Sequence, residues 1–204
     1  MSKKLMFMLA ALTAVAIMAI PAVAAAEITL ETEEEEPVES GSTFTALSEN
    51  AVGTTEAGNI ECAEDDEEGE VEVPSGESVE LSISGGSSGA ACTTTIGGGG
   101  MKIDRTRLNT PWPITLKPND VAEITKVKYT DTLTLNGNSV GHCTFTAEKN
   151  VVIGSYTTFP NPLQITVAGA PFEKVAISSP GCPPKVLLDA VWDVTQKGKD
   201  LFVK

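Results

Sequence analysis

Polar and apolar residues alternate with a period of two along most of this chain, and glycine, proline, asparagine and serine break the alternation at short intervals. Such alternation predicts half-buried strands joined by turns. Residues 43–47 (Thr-Phe-Thr-Ala-Leu) read as a strand and residues 59–62 as the next. In residues 70–73 and 78–83, period two puts Val71, Val73, Val79, Leu81 and Ile83 on buried faces and leaves the glutamates between them in water. Pro74-Ser75-Gly76-Glu77 joins these two runs as a hairpin-type turn. Residues 92–96 are β-branched enough for a strand, and Gly97 to Gly100 follow as a loop within one domain.

The second half continues in the same way. Thr110-Pro111-Trp112-Pro113 must be extended, because the residue before a proline is pushed out of the helical region. Residues 121–130 and 132–135 are β-rich, Asn136-Gly137-Asn138-Ser139 is a strong turn signal, and residues 140–147 return from it, which predicts a hairpin. Further strands are expected at 151–159, 163–167 and 174–177. In the long final run Leu188, Ala190, Trp192 and Val194 alternate with more polar positions before Gln196-Lys197-Gly198 turns into residues 201–203. Ten to twelve short strands and no helical period after the N-terminus predict an all-β fold, an antiparallel β-sandwich of immunoglobulin-like or related type.

The N-terminus changes the setting. Met1-Ser2-Lys3-Lys4, an apolar run over residues 5–20 and the small residues Ala22-Val23-Ala24-Ala25-Ala26 make residues 1–26 a cleaved secretory signal peptide. The run is short of the roughly 20 residues a spanning helix needs. No cysteine follows it to carry a lipid, and the C-terminal residues lack a hydrophobic tail, so the mature chain is expected to be secreted without membrane insertion. Residues 27–40, with Glu33-Glu34-Glu35-Glu36 before Pro37, are expected to form a disordered acidic leader, since like charges with little apolar content cannot offset chain entropy. Residues 41–204 are then a single domain.

Export bears on the four cysteines. In an oxidising compartment Cys62, Cys92, Cys143 and Cys182 are expected to form two disulfides, and the absence of any Cys-x-x-Cys pair argues against zinc. Three connectivities exist; Cys62 with Cys92 and Cys143 with Cys182 is favoured because each pair closes a self-contained strand unit. Charge is the other strong signal. Between Glu27 and Met101 there are nineteen acidic residues and no Lys or Arg; from Lys102 onward there are nine acidic and twelve basic residues. This balance argues against nucleic acid and anionic membrane surfaces as partners, and the unequal halves suggest mutual attraction within or between copies.

Candidate chemistry is sparse. His142 is the only histidine, and strand alternation points it away from Cys143, which removes a Cys–His dyad. The acidic turn Glu64-Asp65-Asp66-Glu67-Glu68 has oxygen ligands for calcium but no EF-hand spacing, so it reads first as a solvated loop. Trp112 and Trp192 suit either a sugar-stacking platform or a core, and their strand-like settings favour the core. No acid pair is singled out for glycoside hydrolysis, and no nucleophile elbow, phosphate loop or dinucleotide fingerprint is present.

Taken together, Cys62, Cys92-Thr-Thr-Thr, Thr110-Pro-Trp112, Cys143-Thr-Phe145, Gly181-Cys182-Pro183 and Leu188-Asp-Ala-Val-Trp192-Asp-Val-Thr195 make the chain, over roughly residues 42–204, resemble a group of small secreted actinobacterial proteins with paired cysteines. The acidic leader and the acid-rich stretch after Cys62 depart from that pattern. The resemblance implies an architecture and no activity. The expectation is a secreted structural or binding module without catalysis or cofactor, whose partner is a protein or a cell-envelope polymer. The alternatives are a calcium-dependent adhesion or matrix module and an extracellular hydrolase with a carboxylate pair.

Overall fold

The computed structural model describes residues 27–87 and 92–204; the expected signal peptide lies outside the described residues. These form seventeen strands, all pairings antiparallel, with two single-turn 3₁₀ segments and no α-helix among them. None of their helical segments is long and apolar enough to cross a membrane.

The chain builds a ring from hairpins. After β1 (Ile28–Thr32), β2 (Thr43–Ser48) and β3 (Ala51–Thr55) make one bent run, and β4 (Gly58–Cys62) and β5 (Asp65–Val73) return along it. The two-residue β6 (Ser75–Gly76) lies in the next turn. Then β7 (Val79–Ser87) and β8 (Cys92–Thr94) pair with β5 and β4. β9 (Met101–Leu108) and β10 (Trp112–Lys117) pair with β8 and β7, and β11 (Val121–Thr125) and β12 (Lys128–Leu135) pair with β10 and β9. β13 (Asn138–Ala147) and β14 (Val151–Tyr156) pair with β12 and β11. β15 (Gln164–Lys174) runs along both and along β16 (Lys185–Gln196). Finally β16 pairs with both β2 and β3, at the registers Val194↔Ala46 and Leu188↔Gly53. Eight bent runs are thus bonded in sequence order and the last closes on the first. Closure gives every run a neighbour on both sides, which limits the free edges that make exposed strands hazardous.

Local chemistry explains the turns. Asn136 and Gly137 have φ of 51° and 81° between Leu135 and Asn138, a two-residue hairpin loop with both central residues left-handed. Lys197 and Gly198 repeat this between β16 and β17 (Lys199–Val203). Inward positions carry the core: Val71, Leu81, Leu116, Phe145, Phe172 and Val194 are fully buried. Outward positions of β5 and β16 carry Glu68, Glu70, Glu72, Asp189 and Asp193, all exposed, whereas a lipid-facing barrel presents an apolar band there.

Four expectations need correction. Residues 27–40 are not a disordered leader: β1 pairs with β17 through Leu30↔Val203 and with β6 through Ile28↔Gly76, and Leu30 and Val38 are buried. Some acids of this stretch are met by C-terminal lysines, with Lys204 bound to Glu31 at 2.6 Å and 3.6 Å from Glu35, and Lys199 bound to Glu34. Residues 64–68 are not a solvated turn, because β5 begins at Asp65 and turns Asp65 and Glu67 into the ring. Val73 is 39% exposed because a bulge between Val71 and Val73 inserts a residue and reverses the alternation there. Residues 175–177 are not a strand; the loop they begin instead bonds the edge of β13, from Val175 N to Thr144 O and Ser179 N to His142 O.

The ring has two unlike ends. At one, β1 and β17 run past the β5–β7 and β14–β15 connections, with Leu30 N bonded to Pro74 O, Leu163 N to Leu201 O and Phe159 N to Val203 O. Leu30, Leu163, Leu201 and Val203 are fully buried in this cap. At the other end lie the Gly97–Gly100 loop, the β12–β13 turn and the 175–184 loop. Cys62–Cys92 and Cys143–Cys182 are both bonded there, the connectivity favoured from the sequence.

Candidate functional site

Period two, applied to charged residues, builds the most unusual feature of the interior. On β9, Ile103, Arg105 and Arg107 face inward while Lys102, Asp104 and Thr106 face out. On β5 the inward set includes Asp65 and Glu67, and on β12 it includes Tyr129 and Asp131. These six polar and charged side chains meet inside the ring. Arg105 grips Asp131 with two bonds, Nε to Oδ1 at 2.8 Å and Nη2 to Oδ2 at 3.3 Å, approaches Asp65 at 3.8 Å, and lies 4.3 Å above the Tyr129 ring. Arg107 donates from Nε to Glu67 at 2.6 Å and from Nη2 to Glu67, Asp65 and the Asp66 carbonyl at 2.8 to 3.0 Å.

Arg107 sits on the run next but one to that of Glu67, with β7 between them. Gly86 makes the reach across β7 open. Its φ of 151° suits glycine, and a Cβ there would lie 2.9 Å from both Arg107 Nε and Glu67 Oε2. Side chains of the runs on either side of β7 therefore meet over bare backbone.

The cluster holds three carboxylates and two guanidinium groups, so fully ionised it carries one surplus negative charge. Burial, only partly offset by the Arg107 hydrogen bonds, pushes the Glu67 carboxyl up to about 7 and moves Asp65 in the same direction. Burial also acts against the charged form of Arg105, but Asp131, Tyr129 and Asp65 outweigh it and hold the guanidinium protonated. The Tyr129 phenol is pushed up by burial and stays neutral. Among the described residues, the buried atoms Arg107 Nη1, Tyr129 Oη, Trp192 Nε1 and Ser48 Oγ have no hydrogen-bond partner.

Two cavities flank this cluster. The inner one holds about 50 Å³ among Phe44, Trp112, Tyr129, Phe172, Trp192 and Arg105. The outer one lies at the disulfide-bonded end and holds about 180 Å³. Ile60, Met101, Ile103, Leu133 and Val140 line its sides with Ser179 to Pro183, and Phe145 and Asp131 lie deepest. Asp131 is the only charged residue among the described residues that line it. Apolar side chains continue onto its surroundings: Val140 is 55% exposed, and Ile177 and Leu135 of the neighbouring loops are also exposed.

The residues singled out in the sequence fall as follows. His142 is exposed on the face of β13 opposite Cys143, its ring nitrogen 3.0 Å from the Ile177 carbonyl and its backbone N–H bonded to Ser179 Oγ, so it helps hold the 175–184 loop. Trp112 and Trp192 are buried in the inner cavity wall, and Trp112 Nε1 donates to Leu108 O at 2.8 Å. The run from Glu64 to Glu68 does not converge on one point: Asp65 and Glu67 are bound by arginines inside while Glu64 and Glu68 face water. Arg105, Arg107 and Asp131 escaped the sequence reading. Their signal was present, since Arg105-Thr106-Arg107 and Asp65-Asp66-Glu67 place like charges two apart on one strand face.

Comparison with protein-family models, with curated proteins and with solved structures finds no match for this chain.

Proposed function

We propose that this protein is a non-catalytic binding module of the extracellular space or cell envelope that holds a small, largely apolar ligand in the cavity at its disulfide-bonded end, beside Cys143–Cys182. One observation carries the reading: a ring strapped at one end keeps about 180 Å³ open at the other, against about 50 Å³ in its interior. An engineered apolar cavity of about 150 Å³ takes up benzene, so this space suits an aryl ring with a short arm. Two disulfides at this end support pre-formed walls, which lower the ordering cost of binding. The exported setting rests on the character of residues 1–26 and on the cysteine pairs. The sandwich architecture expected from the sequence enters as two opposed walls of one antiparallel ladder with the core between them. Binding rather than hydrolysis is favoured because the inward acids are engaged by arginines instead of facing each other across an open cleft.

The test is an NMR titration of the mature, oxidised protein with 2-phenylethanol. Amide shifts concentrated at Met101, Leu133, Val140 and Gly181 are expected. Saturation without any change at these residues would overturn the reading.

A further inference from the structure

We propose that the ligand of the outer cavity carries a primary ammonium group, received by Asp131 at the inner end of an otherwise apolar site. The inference rests on the reading of that cavity as a binding site and adds the chemical class of the ligand. Three observations lead to it.

The first is the lining. Asp131 is the one charged residue among the described residues around the cavity, and it lies at the deep end with Phe145, below Leu133 and Val140. A ligand entering tail-outward brings its head group to this carboxylate. The second is bonding capacity. Arg105 occupies Asp131 with two hydrogen bonds, one to each oxygen, and an ionised carboxylate offers about four acceptor positions. Roughly two lone pairs are left, and they suit a donor and repel an acceptor. A neutral hydroxyl fills one of them; an ammonium fills them with charge-assisted bonds, which are about twice as strong.

The third is the charge balance of the cluster behind Asp131. Among the described residues, the cations paired with Asp65, Glu67 and Asp131 are Arg105 and Arg107. The missing positive charge must come from a proton or from a bound cation, because an uncompensated buried charge is costly. An ammonium at Asp131 supplies it from the open side. A carboxylate or phosphate ligand would add to the surplus, and an uncharged one would leave it in place. Proton and ammonium therefore compete for one role. Glu67, whose carboxyl burial pushes to about 7, takes up the proton below neutrality. Facing it are Arg107 and Arg105 from β9, Asp65 from its own strand, the backbone of Gly86 on β7, and Tyr129 and Asp131 of β12 in the same cluster. Ammonium binding should therefore strengthen between pH 6 and pH 8, where a simple alkylammonium keeps its charge.

The experiment compares three probes of one shape on the mature, oxidised protein by calorimetry and NMR: 2-phenylethylamine, 2-phenylethanol and 3-phenylpropionate. The amine is expected to bind about tenfold more tightly than the alcohol, with the propionate weakest, and the amine's advantage should grow several-fold from pH 6 to pH 8. The variant Glu67→Gln removes the surplus charge at a residue outside the wall of the outer cavity. It should reduce the amine's advantage and leave the alcohol unchanged. Equal affinity for amine and alcohol, with shifts at Met101 and Val140 for both, would overturn the ammonium and leave the cavity reading standing. A preference for the propionate would do the same. Absence of shifts at these residues with every probe would bring down both readings.

Discussion

The two ends of the ring solve one problem in opposite ways. At the capped end, β1 and β17 lay a strap across the opening and drive Leu30, Leu163, Leu201 and Val203 into complete burial. At the other end the chain spends its residues on loops, and two covalent bonds do what packing does below. On the loop-entropy model, closures of 30 and 39 residues are worth about 3 to 4 kcal/mol each. Packing fills space and cross-links do not, so the stapled end stays stable while keeping a cavity. Between the two ends lies the charge cluster, with Asp131 facing the outer cavity and Arg105 and Tyr129 facing the inner one.

The partition offers the strongest way to break this arrangement. Arg107→Ala strands Glu67 and half of Asp65 in a dry interior, and removal of one partner from a buried pair costs about 3 to 5 kcal/mol. Urea unfolding should show that loss; a change below 1 kcal/mol would mean that water reaches the cluster. Next comes the contrast between the ends themselves. Leu201→Ala in the cap should cost about 2 to 5 kcal/mol, as for other fully buried leucines. Met101→Ala beside the outer cavity should cost clearly less, because the site is already open on one side. Similar losses for both would erase the distinction drawn here.

The smallest expected effect is in pH. The folded Glu67 carboxyl titrates near 7, above its ordinary value of 4.5, so the folded state holds a proton that the unfolded state releases. Its contribution is complete below about pH 4.5 and is lost as pH rises through 7, and Asp65, shifted in the same direction, acts with it. Glu34, held low at the surface by Lys199, acts oppositely and weakly, in more acidic solution. The melting midpoint should therefore fall by a few degrees between pH 5 and pH 8, since 1 kcal/mol is worth about 2–4 °C in a chain of this size. A rise over that interval would show that the cluster is fully ionised when folded.

Much of the architecture was legible in the residues. Alternation located most of the strands, Asn136-Gly137 and Lys197-Gly198 marked their hairpins, and the spacing of the cysteines favoured the bonded pairs. The site was less legible. The outer cavity is lined from β4, β8, β9, β12, β13 and the 175–184 loop, segments far apart in the chain. No local pattern names such a set. The acids of residues 27–40 and 64–68 were misread for a related reason, since a run of like charge is unfavourable only until bases from elsewhere meet it. Lys199 and Lys204 meet the first run, and Arg105 and Arg107 meet the second.

The sequence by itself determined which residues share a strand face and where the chain turns, because both depend on neighbours one to four residues away. It could not say which face of a charged strand is the inner one. That choice belongs to the tertiary structure, through the closure of β16 on β2 and β3 across some 140 residues and through the bare backbone at Gly86. Burial of an acid is decided by whether an arginine can reach it, and reach is a property of the closed ring.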